Sequence, residues 1–414
     1  MKMTIYLLMM FTAMVNCSGY SQNCDPASLL VREVRAKDTD PNIQWELFRH
    51  FTYFNPSCSS RNTLLVHLPG TSDEPESTTL FPSLAANCGF HVINLKYPNN
   101  NGSAYGACGS STDSDCYLNF RKEILEGIDY SGDVAVDQTN SIFNRMLKLL
   151  EYMSANYPDE GWEQYLINSE IDWSKIIMSG HSQGGGHAAV IAIDHPIKRI
   201  LMFASPNDYS DFFGVAADWT NLQAAVPDSA YYGFINYYDQ ILGNTLWQYS
   251  TWANLGISNF GDTVNVDEVS APYNQSHQLY TKIDLPGPLG VADHSVMLLD
   301  NYTTDNNGQL LYKEVWLYML GVSQHQLSVQ EFANKSLFSL YPNPVNGIIT
   351  IETNVPYQYG ELKIFSVTGK ELEVTYDLIN PQLVRVDLSR FKEGVYFIRY
   401  STENQIQTKP IIVN

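Results

Sequence analysis

The sequence predicts an α/β region followed by a small all-β domain. Between residues 62 and 320, short apolar runs alternate with segments of helical spacing, the pattern of a mostly parallel sheet with crossover helices. After about residue 336, short alternating segments are separated by turn residues, which is typical of a sandwich of immunoglobulin size. The strands expected there are Ile348–Glu352, Glu361–Ser366, Leu383–Leu388, Val395–Tyr400 and Gln405–Ile412. With 414 residues the chain is long enough for two or three domains and a large core.

The composition is that of a globular protein. Hydrophobic residues make up 44% and aromatic residues 13% of the chain. The formal net charge is −20 and no basic patch stands out, so neither nucleic acid nor an anionic membrane surface is an expected partner.

The N-terminus has the features of a secretory signal peptide. Lys2 precedes an apolar run from Ile5 to Val15, and small residues at Gly19 and Ser21 predict cleavage before Gln22. Residues 1–21 are therefore assigned to the leader. Lipidation at Cys17 is the alternative, although Asn16 is a poor match for it. No later segment is long and apolar enough to predict a membrane span.

The remaining cysteines fit an oxidising compartment, in which such residues usually pair. Cys108 and Cys116 bracket a polar loop and are the best candidates for one bridge. A second bridge can form between two of Cys24, Cys58 and Cys88, and the sequence does not settle which two.

The pattern within the α/β region predicts individual elements. Antiparallel strands are expected between Val31 and Asn55, and a long loop between Tyr97 and Tyr117. Strands are also expected at Asn62–Gly70, His91–Leu95, Arg199–Ala204, Tyr231–Asn236 and Leu279–Ile283, and helices at Glu76–Cys88, Ser141–Tyr157 and Leu310–Leu320.

One stretch, Tyr209 to Ser229, is rich in aromatic residues and alanine. It follows the predicted strand Arg199–Ala204. A small lid is one interpretation, and an ordinary core-facing helix is the other.

The segment from Lys175 to Ala189 (KIIMSGHSQGGGHAA) is the most informative stretch. An apolar strand ends at Gly180, and a run of small residues with helical potential begins after Gln183. Ser182 stands at the apex of this strand–turn–helix in a G-x-S-x-G pattern, which holds a serine hydroxyl out from the backbone as a nucleophile.

A nucleophilic serine needs a base and an acid, in the chain order serine, acid, histidine. Asp239 follows the strand Tyr231–Asn236 and is our first choice for the acid, with Asp208 as the alternative. His294 is our choice for the base, because it follows the acid and lies in a glycine-containing loop; His277 is the alternative.

An oxyanion hole requires two aimed N–H groups. We assign one to Gln183, the residue after the nucleophile, and the other to Thr71 in the turn His67-Leu68-Pro69-Gly70-Thr71. We expect His67, His181 and His187 to pack or to form hydrogen bonds, and we predict neither a metal nor a cofactor.

The chain from about Ser28 to Val322 resembles the α/β-hydrolase superfamily. The resemblance is carried by HLPGT at His67, GHSQGG at Gly180, Asp239 and DHS at Asp293. It looks similar to a group of secreted bacterial members with no assigned substrate. The resemblance implies the α/β-hydrolase fold for residues 24–322, with a Ser182–His294–Asp239 triad.

Residues 336–414 resemble the C-terminal sorting domain of the type IX secretion system of Bacteroidetes. The matching residues are LYPNPVNG at Leu340, IFSVTGKEL at Ile364, GVYFIRY at Gly394 and the terminal KPIIVN. The resemblance implies export through the type IX machinery to the cell surface or the medium. Residues 323–335 are polar and are assigned to a linker.

These features predict a secreted serine hydrolase that cleaves a carboxylic ester, on a small molecule or a polymer, through an acyl-enzyme. A peptidase or amidase with the same triad is the first alternative. A non-catalytic surface binding protein on a hydrolase scaffold is an alternative of another class.

Overall fold

The computed structural model describes residues 24–45, 47–100, 102–241, 245–285, 290–322, 337–353, 357, 361–366, 370–401 and 406–414. These residues form two compact units, one before residue 325 and one after it. The predicted signal peptide, the alternative lipidation site at Cys17 and the predicted linker lie outside the described residues.

The first unit is built on a nine-stranded sheet in the order β1-β2-β4-β3-β7-β8-β11-β13-β12. Strand β2 runs antiparallel to both of its neighbours, and every other adjacent pair is parallel. The strands of this unit are β1 (Leu30–Arg35), β2 (Arg49–Phe54), β3 (Leu64–Leu68), β4 (His91–Asn94), β5 (Leu166–Ile167), β6 (Glu170–Ile171), β7 (Ile176–His181), β8 (Arg199–Phe203), β9 (Tyr209–Ser210), β10 (Val215–Ala216), β11 (Tyr231–Asn236), β12 (Val264–Asn265) and β13 (Gln278–Thr281).

Helices cover both faces of this sheet. They are α1 (Ala36–Thr39), α2 (Leu80–Ala86), α3 (Ala104–Cys108), α4 (Cys116–Glu126), α5 (Ile142–Asn156), α6 (Gln183–Asp194), α7 (Thr245–Asn254), α8 (Val291–Ser295) and α9 (Lys313–Met319). Successive strand residues enter opposite cores: Met178 packs with α4, α5 and α6, whereas Ile177 packs with α2 and α9. The central strands β3, β7 and β11 are therefore buried along their whole length and mostly apolar, as expected for parallel strands covered on both faces.

The structure corrects two of the element predictions. Tyr209 to Ser229 is not a core-facing helix; it holds the short β9–β10 hairpin, whose turn passes through Gly214 at φ 69°, and 3₁₀ turns. The interpretation of this stretch as a lid stays a prediction. The region from Tyr97 to Tyr117 contains the short helix α3 rather than loop alone. Helices α1, α4, α7 and α8 were not predicted.

Two disulfides join pairs of described residues in the first unit. The structure joins Cys108 to Cys116, as predicted, and thereby ties the end of α3 to the start of α4. The second bridge joins Cys24 to Cys58. Among the described residues, no helix has both the length and the apolar character that a membrane span requires.

The second unit consists of two four-stranded antiparallel sheets, β14-β15-β19-β18 and β17-β16-β20-β21. Both sheets contribute to one apolar core, for example through Ile349 and Ile364. The strands are β14 (Phe338–Tyr341), β15 (Ile348–Thr353), β16 (Leu362–Ser366), β17 (Glu371–Leu372), β18 (Tyr376–Asn380), β19 (Leu383–Asp387), β20 (Gly394–Ser401) and β21 (Ile406–Val413). The predicted class, α/β followed by a small β domain, is confirmed.

Candidate active site

Ser182 stands between the end of β7 and the start of α6 with φ 51° and ψ −118°. A positive φ is rare for a residue with a side chain, and a strained residue of this kind must be held in place by its surroundings. Its backbone N–H donates to the carbonyl of Phe203 at 2.8 Å, and its carbonyl accepts from Gly185 at 3.1 Å. The turn thus places the serine at the N-terminus of α6, where the helix dipole favours negative charge.

The glycines around this turn leave no room for a side chain, because backbone atoms of neighbouring elements lie close to them. A Cβ on Gly180 would lie 2.2 Å from the backbone of Gly184, and a Cβ on Gly184 would lie 2.1 Å from the carbonyl oxygen of Leu68. Both distances are far shorter than a van der Waals contact. These glycines let α6 pack directly against the end of β3.

The structure brings His294 and Asp239 together. The Nδ1 atom of His294, on α8, lies 2.6 Å from Oδ2 of Asp239, which follows β11. The side chain of Asp239 is fully buried, and its Oδ1 accepts from the backbone N–H of Ile241 at 3.1 Å. An ionised carboxylate only accepts hydrogen bonds, so Nδ1 carries the proton and Nε2 is the basic nitrogen.

Asp208, the alternative acid, is engaged elsewhere. Its two carboxylate oxygens accept from Nε and Nη2 of Arg121 at 2.7 and 2.5 Å, and the indole of Trp219 donates to it at 2.8 Å. Burial opposes the charge on Arg121, but the negative charge of Asp208 and its hydrogen bond to Arg121 together outweigh this effect and raise the pKa of Arg121. Arg121 also donates to the carbonyl of Gln183 at 3.0 Å. The Arg121–Asp208 ion pair is therefore bonded to the backbone of the residue that follows Ser182 and helps to fix the Ser182 turn.

The two residues assigned to the oxyanion hole are in contact. The hydroxyl of Thr71 donates to Oε1 of Gln183 at 3.0 Å, and the same oxygen accepts from the N–H of Ala104 at 3.2 Å. Asn99 fixes the Thr71 loop, because its side-chain amide donates to the carbonyls of Gly70 and Asp73 at 2.6 and 2.8 Å. The loop is therefore held against the start of α6.

Asp73 is a residue of this site that the sequence analysis missed. Its Oδ2 lies 3.3 Å from Nδ1 of His181, whose Nε2 lies 2.9 Å from the carbonyl oxygen of His294. Burial disfavours ionisation of Asp73, but the hydrogen bond to His181 and the positive charge of nearby histidines outweigh it and lower the pKa of Asp73. The one sequence signal for Asp73 is its position just after the Pro69-Gly70-Thr71 turn.

A cavity of about 360 Å³ opens onto these groups. Its lining includes Ser182, His294, Gln183, Thr71, Asp73, His181, Arg121 and Asp208. Its outer part carries the exposed side chains of Ile241 and Val291. Ser182, His294 and the two residues predicted for the oxyanion hole, Gln183 and Thr71, thus line one space, which is the grouping that acyl transfer requires.

The other histidines have separate environments. His277, the alternative base, hydrogen-bonds through Nδ1 to the carbonyl of Tyr231 at 3.0 Å and lines a different cavity. His67 is fully buried beside Ser179, and burial lowers its pKa to about 3. His187 is buried against the ring of Tyr97.

Metal-ligand geometry among the described residues is confined to Cys108, Cys116 and Asp133. The sulfurs of this group are bonded to each other in a disulfide, so they are not thiolate ligands.

Comparison with known proteins identifies the second unit. Residues 339–414 match the family model of the secretion system C-terminal sorting domain. No curated protein shows significant similarity to the chain. The second unit is thus a type IX sorting domain, and it marks the protein for the cell surface or the extracellular space.

Proposed function

We propose that the first unit is an α/β-hydrolase and that the protein is a secreted serine hydrolase which cleaves carboxylic esters. The observation that carries the proposal is the Ser182 turn, strained at φ 51°, facing the same cavity as a His294 ring bonded to Asp239. The sheet order, with β7 at its centre and β2 antiparallel to both of its neighbours, supports this fold.

The first half-reaction forms an acyl-enzyme. The Oγ of Ser182 attacks the ester carbonyl carbon while Nε2 of His294 takes the hydroxyl proton. The N–H groups of Gln183 and Thr71 stabilise the negative charge that develops on the carbonyl oxygen. The bond to the leaving alcohol then breaks, and His294 gives that alcohol its proton.

The second half-reaction releases the acid. Water attacks the acyl carbon and gives its proton to His294, and the bond to Oγ of Ser182 breaks as the proton returns to the serine. Asp239 holds the His294 ring in the required tautomer and stabilises its charged form. Both steps use the same donors because both form the same kind of tetrahedral intermediate.

A fluorophosphonate probe tests the nucleophile directly. Wild type is expected to be labelled and Ser182→Ala is not, with both proteins shown to be folded by circular dichroism. Failure of folded wild type to react would support the alternative of a non-catalytic surface binding protein.

Substrate class requires a second assay. We expect p-nitrophenyl esters of increasing acyl length to be cleaved, and peptide p-nitroanilides to be cleaved far more slowly. The reverse order would favour the peptidase or amidase alternative, which uses the same triad.

A further inference from the structure

The carboxylate of Asp73, the ring of His181 and the side chain of Ser182 surround one point in space. A Cβ on Gly70 would meet Oδ2 of Asp73 at 2.8 Å, Nδ1 of His181 at 3.0 Å and Cβ of Ser182 at 3.3 Å. Gly70 therefore leaves room for an aspartate–histidine pair immediately beside the nucleophile. The mechanism above does not use this pair.

The acceptors that face the His181 ring determine which of its nitrogens carry hydrogen. A backbone carbonyl accepts and never donates, so Nε2 of His181 must carry the hydrogen that reaches the carbonyl of His294 at 2.9 Å. A carboxylate also only accepts, so Nδ1 must carry a hydrogen as well in order to donate to Oδ2 of Asp73, which lies 3.3 Å away. Asp73 thus provides the Nδ1 side of the ring with a partner while the Nε2 side holds the His294 backbone.

The carbonyl of His294 is well placed for such a contact. Helix α8 has five residues, and carbonyls in the last turn of a helix lack partners within the helix. The rings of His181 and His294 also lie with their centroids 4.8 Å apart. His181 therefore contacts the base at both its backbone and its ring.

We propose that His181 is a positioning residue for His294, and that Asp73 holds the His181 ring in the orientation that donates to the His294 carbonyl. The inference rests on the proposed function of His294 as the base. It predicts that loss of the Nε2 donor displaces the His294 ring from Asp239, so that kcat falls while KM changes little.

Two substitutions at His181 form a matched pair. Glutamine carries its amide nitrogen as far from Cβ as Nε2 of histidine, whereas asparagine carries it only as far as Nδ1. His181→Gln can therefore still donate to the His294 carbonyl, and His181→Asn cannot. We expect kcat on a p-nitrophenyl ester to fall roughly 10- to 100-fold in His181→Asn and to be largely rescued in His181→Gln.

A proton NMR measurement on the full chain separates this inference from the proposed function. The proton between His294 Nδ1 and Asp239 is expected far downfield in wild type and in His181→Gln, and weakened in His181→Asn. His195→Gln, at a half-buried ring stacked on Trp173, is the control and should match wild type. The readout needs no turnover, so an inactive protein with this pattern would overturn the proposed function alone.

A second pair of variants, at Asp73, tests the same inference if the His181 variants do not fold. The Asp73 side chain is 29% exposed, so substitution there is better tolerated. Asp73→Asn can still hydrogen-bond Nδ1, but Asp73→Leu cannot, so Asp73→Leu should show the larger fall in kcat and the weaker downfield signal. The inference is overturned if the two variants of a folded pair have the same kcat and the same downfield proton signal. Intact fluorophosphonate labelling in those variants would show that the proposed function still holds.

Discussion

Asp239 and His294 lie 55 residues apart in the chain, yet Oδ2 of the first is 2.6 Å from Nδ1 of the second. The contact forms because Asp239 follows the C-terminal end of β11 and α8 crosses that same end of the sheet. Asp208 follows the neighbouring strand β8, but Arg121 and Trp219 occupy its carboxylate. The two aspartates therefore have different environments, and their substitution should have different consequences.

Asp239→Asn is expected to lower kcat by roughly 10⁴-fold with little change in stability, because the amide can still hydrogen-bond His294 but favours the wrong tautomer. Asp208→Asn should instead lower the free energy of unfolding by about 3 kcal/mol, because it leaves the buried Arg121 charge without a counterion. Steady-state kinetics and urea unfolding, run on both variants, check the two effects. A larger loss of kcat in Asp208→Asn would assign the acid to Asp208.

Gly184→Ala should disrupt the Ser182 turn. The new methyl group would lie 2.1 Å from the carbonyl oxygen of Leu68 and 2.6 Å from that of Pro69, and both atoms are backbone. We expect a loss of about 3 kcal/mol of stability and loss of fluorophosphonate labelling, because the Thr71 loop must move.

Gly132→Ala is the matched control for this substitution, since a Cβ there meets nothing within 4 Å. Its unfolding midpoint and labelling should equal those of wild type. If Gly184→Ala behaves like Gly132→Ala, then the close approach of α6 to the end of β3 is not what shapes the site.

The sequence predicts best the features that depend on residues close together in the chain. The Ser182 turn needs a strand, closely spaced glycines and a helix, and all of them lie between Lys175 and Ala189. Asp239 follows from the end of a strand, and His294 follows from chain order and a nearby glycine; the structure places His294 on the short helix α8 instead of in the predicted loop. The alternating residues of β15 and β19 predicted those strands in the same way, because one face of each is buried.

The features that the sequence did not predict depend on contacts between distant residues. Arg121 meets Asp208 across 87 residues and Asp73 meets His181 across 108, and no local pattern selects those partners. Strand β18 was missed because most of it is exposed, so burial imposes no alternation on it. In Tyr209 to Ser229 the aromatic content allowed either a lid or a core-facing helix; the helix is wrong, because Phe212 and Phe213 are exposed on the hairpin turn.

The sorting domain gives a prediction about export. In a type IX-competent host, deletion of residues 337–414 should leave the protein inside the cell envelope, while the full chain reaches the surface or the medium. Immunoblots of the cell-associated and medium fractions, with a periplasmic marker, measure this. Equal export of the full chain in a strain without the type IX machinery would contradict the assignment.

The buried histidines predict how stability depends on pH. Burial, with a smaller contribution from Arg145 and Lys96, lowers the pKa of His50 to about 3, and burial with a smaller contribution from His181 does the same for His67. In the unfolded chain such residues bind a proton below about pH 6.5. Their contribution is therefore fully present above pH 6.5 and is lost as the pH falls from about 6.5 towards 3, by up to about 1.4 kcal/mol per pH unit for each histidine.

His50→Asn tests this dependence at a position outside the cavity. Nδ1 of His50 accepts from the N–H of Lys96 at 3.1 Å, and the carbonyl oxygen of asparagine can replace that acceptor without titrating. Urea unfolding followed by tryptophan fluorescence reports the first unit, because all seven tryptophans precede residue 325. At pH 8 position 50 binds no proton in either protein. The difference in free energy of unfolding between His50→Asn and wild type at that pH therefore measures the packing cost of the substitution. Between pH 6 and 4 the variant's stability should fall less steeply than that of wild type, by about 1.4 kcal/mol per pH unit; parallel curves would mean that His50 is not the neutral buried group the structure indicates.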